Sequence, residues 1–114
     1  MGFFNKLKKK IEIKQSKIDS KTTQKNLEKI PKLERALKEN PTSFDLIYQL
    51  YGCYVDLSNS KKKIECLEKM HKIRPKDAFP LNQLAQIYYS ELENPEKGKF
   101  YQDKANKINS NKFL

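Results

Sequence analysis

The chain holds no tryptophan, one histidine, two cysteines and three glycines in 114 residues. Each scarcity removes a class of function. Metal sites need three or four ligands at suitable spacing. His71, Cys53 and Cys66 form no CxxC and no Cys/His pattern, so no metal and no cofactor is expected. Both cysteines read as buried thiols and His71 as a residue on a helix flank. Catalysis finds no footing either: there is no Ser/His/Asp grouping, no glycine-rich phosphate loop and no cysteine paired with a histidine. The neighbouring carboxylates Glu91 and Glu93 lie beside a turn and read as solvated. No catalytic residue is assigned, and no small-molecule substrate is expected.

Long apolar runs are missing as well. None could span a bilayer. The start, Met1-Gly2-Phe3-Phe4-Asn5-Lys6-Leu7, lacks the unbroken apolar stretch of a secretory signal, so a cytoplasmic location is expected. Hydrophobic residues make up 37% and charged residues 33%. That is the balance of a single soluble, helix-rich domain with a modest core. The formal net charge is +10, and it is unevenly spread. Residues 1–38 hold twelve Lys/Arg against four acids, whereas residues 39–114 hold twelve against ten. The basicity belongs to the first third, which weakens an argument for nucleic-acid binding by the whole protein.

What the chain does have is an echo at 34 residues. Pro41 maps to Pro75, Ile47 to Leu81, Leu50 to Leu84, Cys53 to Ile87 and Tyr54 to Tyr88. A fixed period of this length belongs to stacked helix-turn-helix units, which bury their apolar faces against one another.

The apolar spacing predicts six helices and no strand. The first covers residues 3–20, with Phe4, Leu7, Ile11 and Ile18 on one stripe and most of its lysines off it. A break is expected at Ser20-Lys21-Thr22-Thr23, with Thr23 capping a second helix that runs to about Glu39. Its inward residues are Leu27, Ile30, Leu33, Ala36 and Leu37. Pro31 should kink it or delay its start. Asn40-Pro41-Thr42-Ser43 stops that helix and caps a third at about 43–57. Ser58-Asn59-Ser60 is turn chemistry. The fourth helix covers about 60–73, with Ile64, Leu67, Met70 and Ile73 inward and Lys61, Lys62, Lys63, Glu65 and Lys72 outward. Arg74-Pro75-Lys76-Asp77 ends it and caps a fifth, about 78–92, with Pro80 in its first turn. A sixth covers about 95–109, and the last residues are expected to fray.

These residues resemble the tetratricopeptide repeat family. Its 34-residue pattern wants a large apolar residue in the fourth place, an apolar residue in the seventh and an aromatic in the eleventh. It also wants small residues in the eighth and twentieth, an alanine-like residue in the twenty-seventh and proline in the thirty-second. Residues 44–77 supply Ile47, Leu50, Tyr54, Leu67, Met70 and Pro75. Residues 78–111 supply Leu81, Leu84, Ala85 and Tyr88. After one inserted residue they continue with Gly98 and Ala105, and Ser110 stands where proline would. A degenerate leading unit offers Leu33, Ala36 and Pro41. Tyr51 and Lys63 depart from the pattern, filling the two small places of the middle unit, and imply a wider crossing or a one-residue slip. The resemblance implies an all-α, TPR-like solenoid of antiparallel helix pairs over residues 23–111. A basic helix, residues 1–22, would precede it and a frayed tail, 112–114, would follow.

The family implies a non-catalytic adaptor that holds a partner segment in a groove lined by the first helix of each unit. The matching places are Asp45, Tyr48, Gly52, Val55, Asp56, Phe79, Asn82, Gln86, Tyr89 and Ser90. This mixed aromatic and amide set suits an extended or helical segment of a partner protein. Tyr48 and Tyr89 are equally suited to packing between units. A groove in this family that clamps the acidic tails of heat-shock chaperones uses cations. The corresponding places here, Tyr48, Gln49, Gly52, Asn82, Gln83 and Gln86, hold none, so chaperone-tail binding is disfavoured.

The N-terminal helix admits three readings. It caps the solenoid, or it lays Phe3 and Phe4 into an anionic membrane surface. In the third reading Lys6, Lys8, Lys9, Lys10 and Lys14 contact RNA phosphates. Lys6 stands where a myristoylation motif wants Ser or Thr, which argues against a lipid at Gly2.

Overall fold

The computed structural model describes the backbone of residues 2–111 and the side chains from Ser20 to Asn111. Among the described residues the chain is all-helical: α1 (Gly2–Glu39), α2 (Phe44–Asp56), α3 (Ser60–Ile73), α4 (Phe79–Ser90) and α5 (Pro95–Asn111). No described helix is long and apolar enough to cross a membrane.

Five helices replace the expected six, because α1 runs straight through Ser20-Lys21-Thr22-Thr23. Serine and threonine cap a helix only where the chain turns. Here no glycine or proline enforces a turn, and good helix formers, Lys21, Gln24 and Lys25, continue the spiral. The expected boundary at residue 22 therefore falls within a helix. Pro31 also sits inside α1. It deprives the Leu27 carbonyl of its helical donor. Pro31 and Leu27 both face solvent, where water can serve that carbonyl.

Leu27 itself was expected inside and is 53% exposed. The inward stripe of α1 keeps Ile30, Leu33 and Leu37, of which Leu33 is buried and the other two half-buried, and adds the buried Asn26, at helical spacings of four, three and four. Asn26 can be buried because its Nδ2 donates to Asp56 Oδ2 at 3.2 Å, tying α1 to the end of α2.

The remaining helices begin where the capping residues stand. Ser43 Oγ accepts from the Leu46 N–H and Asn59 Oδ1 from the Lys62 N–H. Asp77 Oδ1 accepts from the Phe79 N–H, and Asn94 Oδ1 from the Lys97 N–H. The α2–α3 and α4–α5 turns echo one another. Asn59 donates its N–H to the Tyr54 carbonyl, and Asn94 donates to the carbonyl of Tyr88. The residue before each asparagine, Ser58 or Glu93, is left-handed, with φ of 53° and 48°. The extra residue of the second turn lies in this connection and leaves both caps in place.

Along the backbone each described helix lies against its neighbours in sequence. One core runs through the stack, built from Ile47, Leu50, Leu67, Met70, Leu81, Leu84 and Ala105, with Cys53 and Cys66 buried as free thiols. On one side the ends of α1 and α3 line a common cleft, and on α3 burial, with the Lys104 charge of α5, disfavours the charged form of His71. On the other side α2 meets α4 directly through aromatic rings. The architecture is all-α and repeat-like.

Candidate partner-binding groove

The α2–α4 side carries an aromatic cluster whose geometry follows from helical spacing. Phe44, Tyr48 and Tyr51 lie three and four residues apart and share one face of α2. The Tyr48 ring stands 6.5 Å from Phe44, 6.4 Å from Tyr51 and 6.0 Å from Phe79, the first residue of α4. Tyr51 meets Phe79 edge-on at 6.4 Å. The Arg74 guanidinium covers Phe44, 3.8 Å from the ring centre, and closes that end of the cluster. Tyr51 donates its hydroxyl proton to Gln83 Oε1 at 3.2 Å. Burial pushes the Tyr51 phenol above its ordinary value, and Glu91 and Tyr48 add to that rise, so it remains a donor at neutral pH.

Beside the cluster lies a cavity of about 540 Å³ between α1, α2 and α4. Five of the expected groove residues line it: Tyr48, Gly52, Val55, Asp56 and Phe79. The other five do not. Asp45, Gln86 and Ser90 are exposed elsewhere on their helices. Asn82 accepts a hydrogen bond from Gln102 Nε2 of α5 at 3.2 Å. Tyr89 lies over Gly98 of α5 and so packs within its own helix pair, unlike Tyr48. Tyr48 stays 49% exposed at the mouth of the cavity.

Sequence reasoning missed the wall that α1 supplies, Asn26 and Lys29. The signal was present: stepping back 34 residues from Ser60 and Lys63 lands on those two positions. Lys29 also corrects the count of cations in the groove, which α2 and α4 alone put at none. Its charge counters that of Asp56 around Cys53. Burial raises the Cys53 thiol first and Asp56 raises it further, while Lys29 opposes both. Burial likewise pushes Cys66 up to about 11. Both thiols are protonated at neutral pH and make poor nucleophiles.

One expectation fails at α3. Lys63, read as outward, is 7% exposed, and it pairs with Glu91, which keeps an exposed side chain beside its turn. Glu91 accepts from Lys63 Nζ and from Ser60 Oγ, each at 2.5 Å. Burial alone would raise the Glu91 carboxyl, but these two bonds and the Lys63 charge outweigh it and hold the group below its usual value. A lysine can occupy a buried place because its long stem carries the ammonium to the end of α4.

The side chains of Phe3, Phe4, Lys6, Lys8, Lys9, Lys10 and Lys14 lie outside the described residues, on the first turns of α1. Among the described residues no cluster of three or more His, Cys, Asp and Glu could hold a metal ion. No family model matches the chain, and no match is found among curated proteins.

Proposed function

We propose that this chain is a non-catalytic adaptor of tetratricopeptide type, a short solenoid that holds a segment of a partner protein in the α1–α2–α4 groove. The observation that carries this reading is the groove's lining. Aromatic rings (Tyr48, Tyr51, Phe79) and amides (Asn26, Gln49, Gln83) line it together, with one cation and one acid, Lys29 and Asp56, both exposed. Such a lining offers stacking surface and hydrogen bonds to an extended backbone without calling for a charged ligand. It disfavours the acidic tails of chaperones, because a single lysine in a lining that also holds an aspartate gives little grip on a carboxylate-rich peptide. A cytoplasmic location accords with this reading.

Affinity capture followed by mass spectrometry, with Tyr48→Ala as the control, tests the proposal. Tyr48 is half exposed, so its truncation should leave the fold intact while removing the central anchor. Capture that survives Tyr48→Ala and Phe79→Ala at undiminished yield would dismiss the groove.

A second reading is favoured by one fact: α1 holds twelve of the 24 Lys/Arg. In it the basic N-terminus anchors the protein to an anionic membrane surface or to RNA. Deleting residues 1–20 should then abolish co-sedimentation with liposomes or RNA, and unchanged sedimentation would rule the anchor out.

A further inference from the structure

The cations of this protein are sorted by helix. α1, α3 and α5 hold twenty-one of the 24 Lys/Arg, and α2 and α4 hold none. The groove on the α2–α4 side is thus nearly neutral, and the side formed by the odd helices is strongly basic.

On the basic side a second cleft opens, about 620 Å³, between the end of α1, the Pro41-Thr42 turn and the end of α3. Its floor is apolar: Leu37 and Ile73 pack partly into the core, and Pro41 is exposed beside them. Its rim carries Lys38, Lys69 and Lys72, all exposed. None of the three forms an ion pair among the described residues, although Lys62, Lys63 and Lys99 each find a carboxylate. The one acid of the rim, Glu34, accepts a long hydrogen bond from the Tyr54 hydroxyl at 3.5 Å. Three unpaired ammonium groups thus surround an apolar floor.

We infer that this cleft binds an acidic peptide segment carrying apolar anchors, with its leucine-like side chains on Leu37, Pro41 and Ile73 and its carboxylates on Lys38, Lys69 and Lys72. The charge match selects an anion. The apolar floor selects a peptide over a nucleic acid, whose phosphates have no use for it. This site is separate from the α2–α4 groove, and its failure would leave that reading untouched.

The probe is a short fluorescent peptide of alternating glutamate and leucine, followed by anisotropy on the full chain. The expected result is saturable binding that weakens at least about tenfold in Lys69→Glu/Lys72→Glu, the scale of one or two charge-assisted hydrogen bonds. Lys38→Glu should act the same way, and Tyr48→Ala should change nothing. Circular dichroism checks that these surface variants remain helical. Peptides with glutamine for glutamate, or serine for leucine, should each bind far more weakly. The inference is overturned if the glutamate–leucine peptide does not bind, if Tyr48→Ala rather than the lysine variants abolishes binding, or if the serine peptide binds as well as the leucine one. Equal competition by a single-stranded oligonucleotide or by phosphatidylcholine–phosphatidylserine vesicles would also overturn it, exposing a general polyanion surface.

Discussion

Helix pairs α2–α3 and α4–α5 share the asparagine cap of their second helix, their left-handed turn residue and their apolar skeleton, yet three facing places hold opposite kinds of residue. In α4–α5 these places are Ala85, Gly98 and Ala105, all buried. In α2–α3 they are Tyr51, Lys63 and Met70. Small residues let α4 and α5 lie close along more of their length than α2 and α3 do. The bulky trio does something else. Tyr51 leaves the pair to meet Phe79 and Gln83, and Lys63 reaches Glu91, so both attach α2–α3 to α4. One pair is held mainly by its own close contact, the other partly by what it sends to its neighbour. The lesson is that a repeat place fixes where a side chain starts but leaves open which interface it serves.

The largest expected effect separates the two pairs at their third place. Met70→Ala removes a fully buried side chain from a wide interface that cannot collapse onto the gap. It should cost about 2–5 kcal/mol, read as a lower urea midpoint at unchanged slope. The reverse change, Ala105→Met, forces volume into the tight pair and should cost about 1–3 kcal/mol. If Ala105→Met proves the milder by far, or is neutral, α4 and α5 are not as close as their small residues indicate.

Gly98 gives the next test. A Cβ there would stand 2.8 Å from Cγ, Cδ1 and Cδ2 of Tyr89, the root of the ring rather than its tip. Alanine is the better helix former by roughly 1 kcal/mol, so Gly98→Ala would stabilise an isolated helix. In this interface the clash should win, giving a net loss of about 1 kcal/mol by thermal melting. Tyr89→Ala should reverse the sign, and a double-mutant cycle would display the coupling. Additive single effects would mean that Tyr89 does not press on Gly98.

The fold was legible in the sequence wherever punctuation and period agreed. Prolines 34 apart, capping asparagines and the recurring apolar places put α2 to α5 within two residues of their ends. The failures have one source: local chemistry that is ambiguous until the neighbours are in place. Ser20 to Thr23 can cap or continue a helix, and nothing in those residues forces a turn. Leu27 and Asn26 are adjacent, and hydropathy favours the leucine for burial; only the Asp56 carboxylate, thirty residues away, makes Asn26 the inward one. Half of the candidate groove was found because it lies on α2 and the start of α4. The wall from α1 is faint in the sequence because the leading unit departs from the repeat pattern, so the period alone does not mark Asn26 and Lys29. Charge alone points Lys63 outward, and its partner Glu91 lies 28 residues on, in the turn after α4.

The Lys63–Glu91 contact supplies a subtler way to separate the pairs. Glu91→Gln would leave the ammonium in its buried place without a counter-charge. Glu91 is itself partly open to solvent, so the cost should be about 1 kcal/mol, nearer a surface pair than a dry one. Lys63→Met keeps the stem and removes the charge, and it should be neutral or slightly stabilising. If Lys63→Met costs more than Glu91→Gln, the ion pair is a net contributor, and the bulky trio is more than a tolerated departure.

The smallest effect is a pH dependence with two separable limbs. Burial, reinforced by Lys104, holds the His71 imidazole below its usual value of 6.5, and its Nδ1 is buried without a hydrogen-bond partner among the described residues. The unfolded chain therefore binds this proton first, so stability falls as pH drops below about 6.5. Glu91 is also held low, against the pull of burial, by Lys63 and Ser60. Its contribution is complete above the ordinary carboxyl value of 4.5 and is lost as pH falls through the lower folded value. His71 on α3 feels the Lys104 charge of α5, and Glu91 joins the α3 start to the α4 end, so the two limbs report different surroundings of the same helix. Urea midpoints measured from pH 7.5 down to 3.5 should show a first decline that His71→Gln flattens and a later one that Glu91→Gln flattens. A single decline, unaffected by His71→Gln, would mean that the imidazole charges freely and that α5 does not shield it.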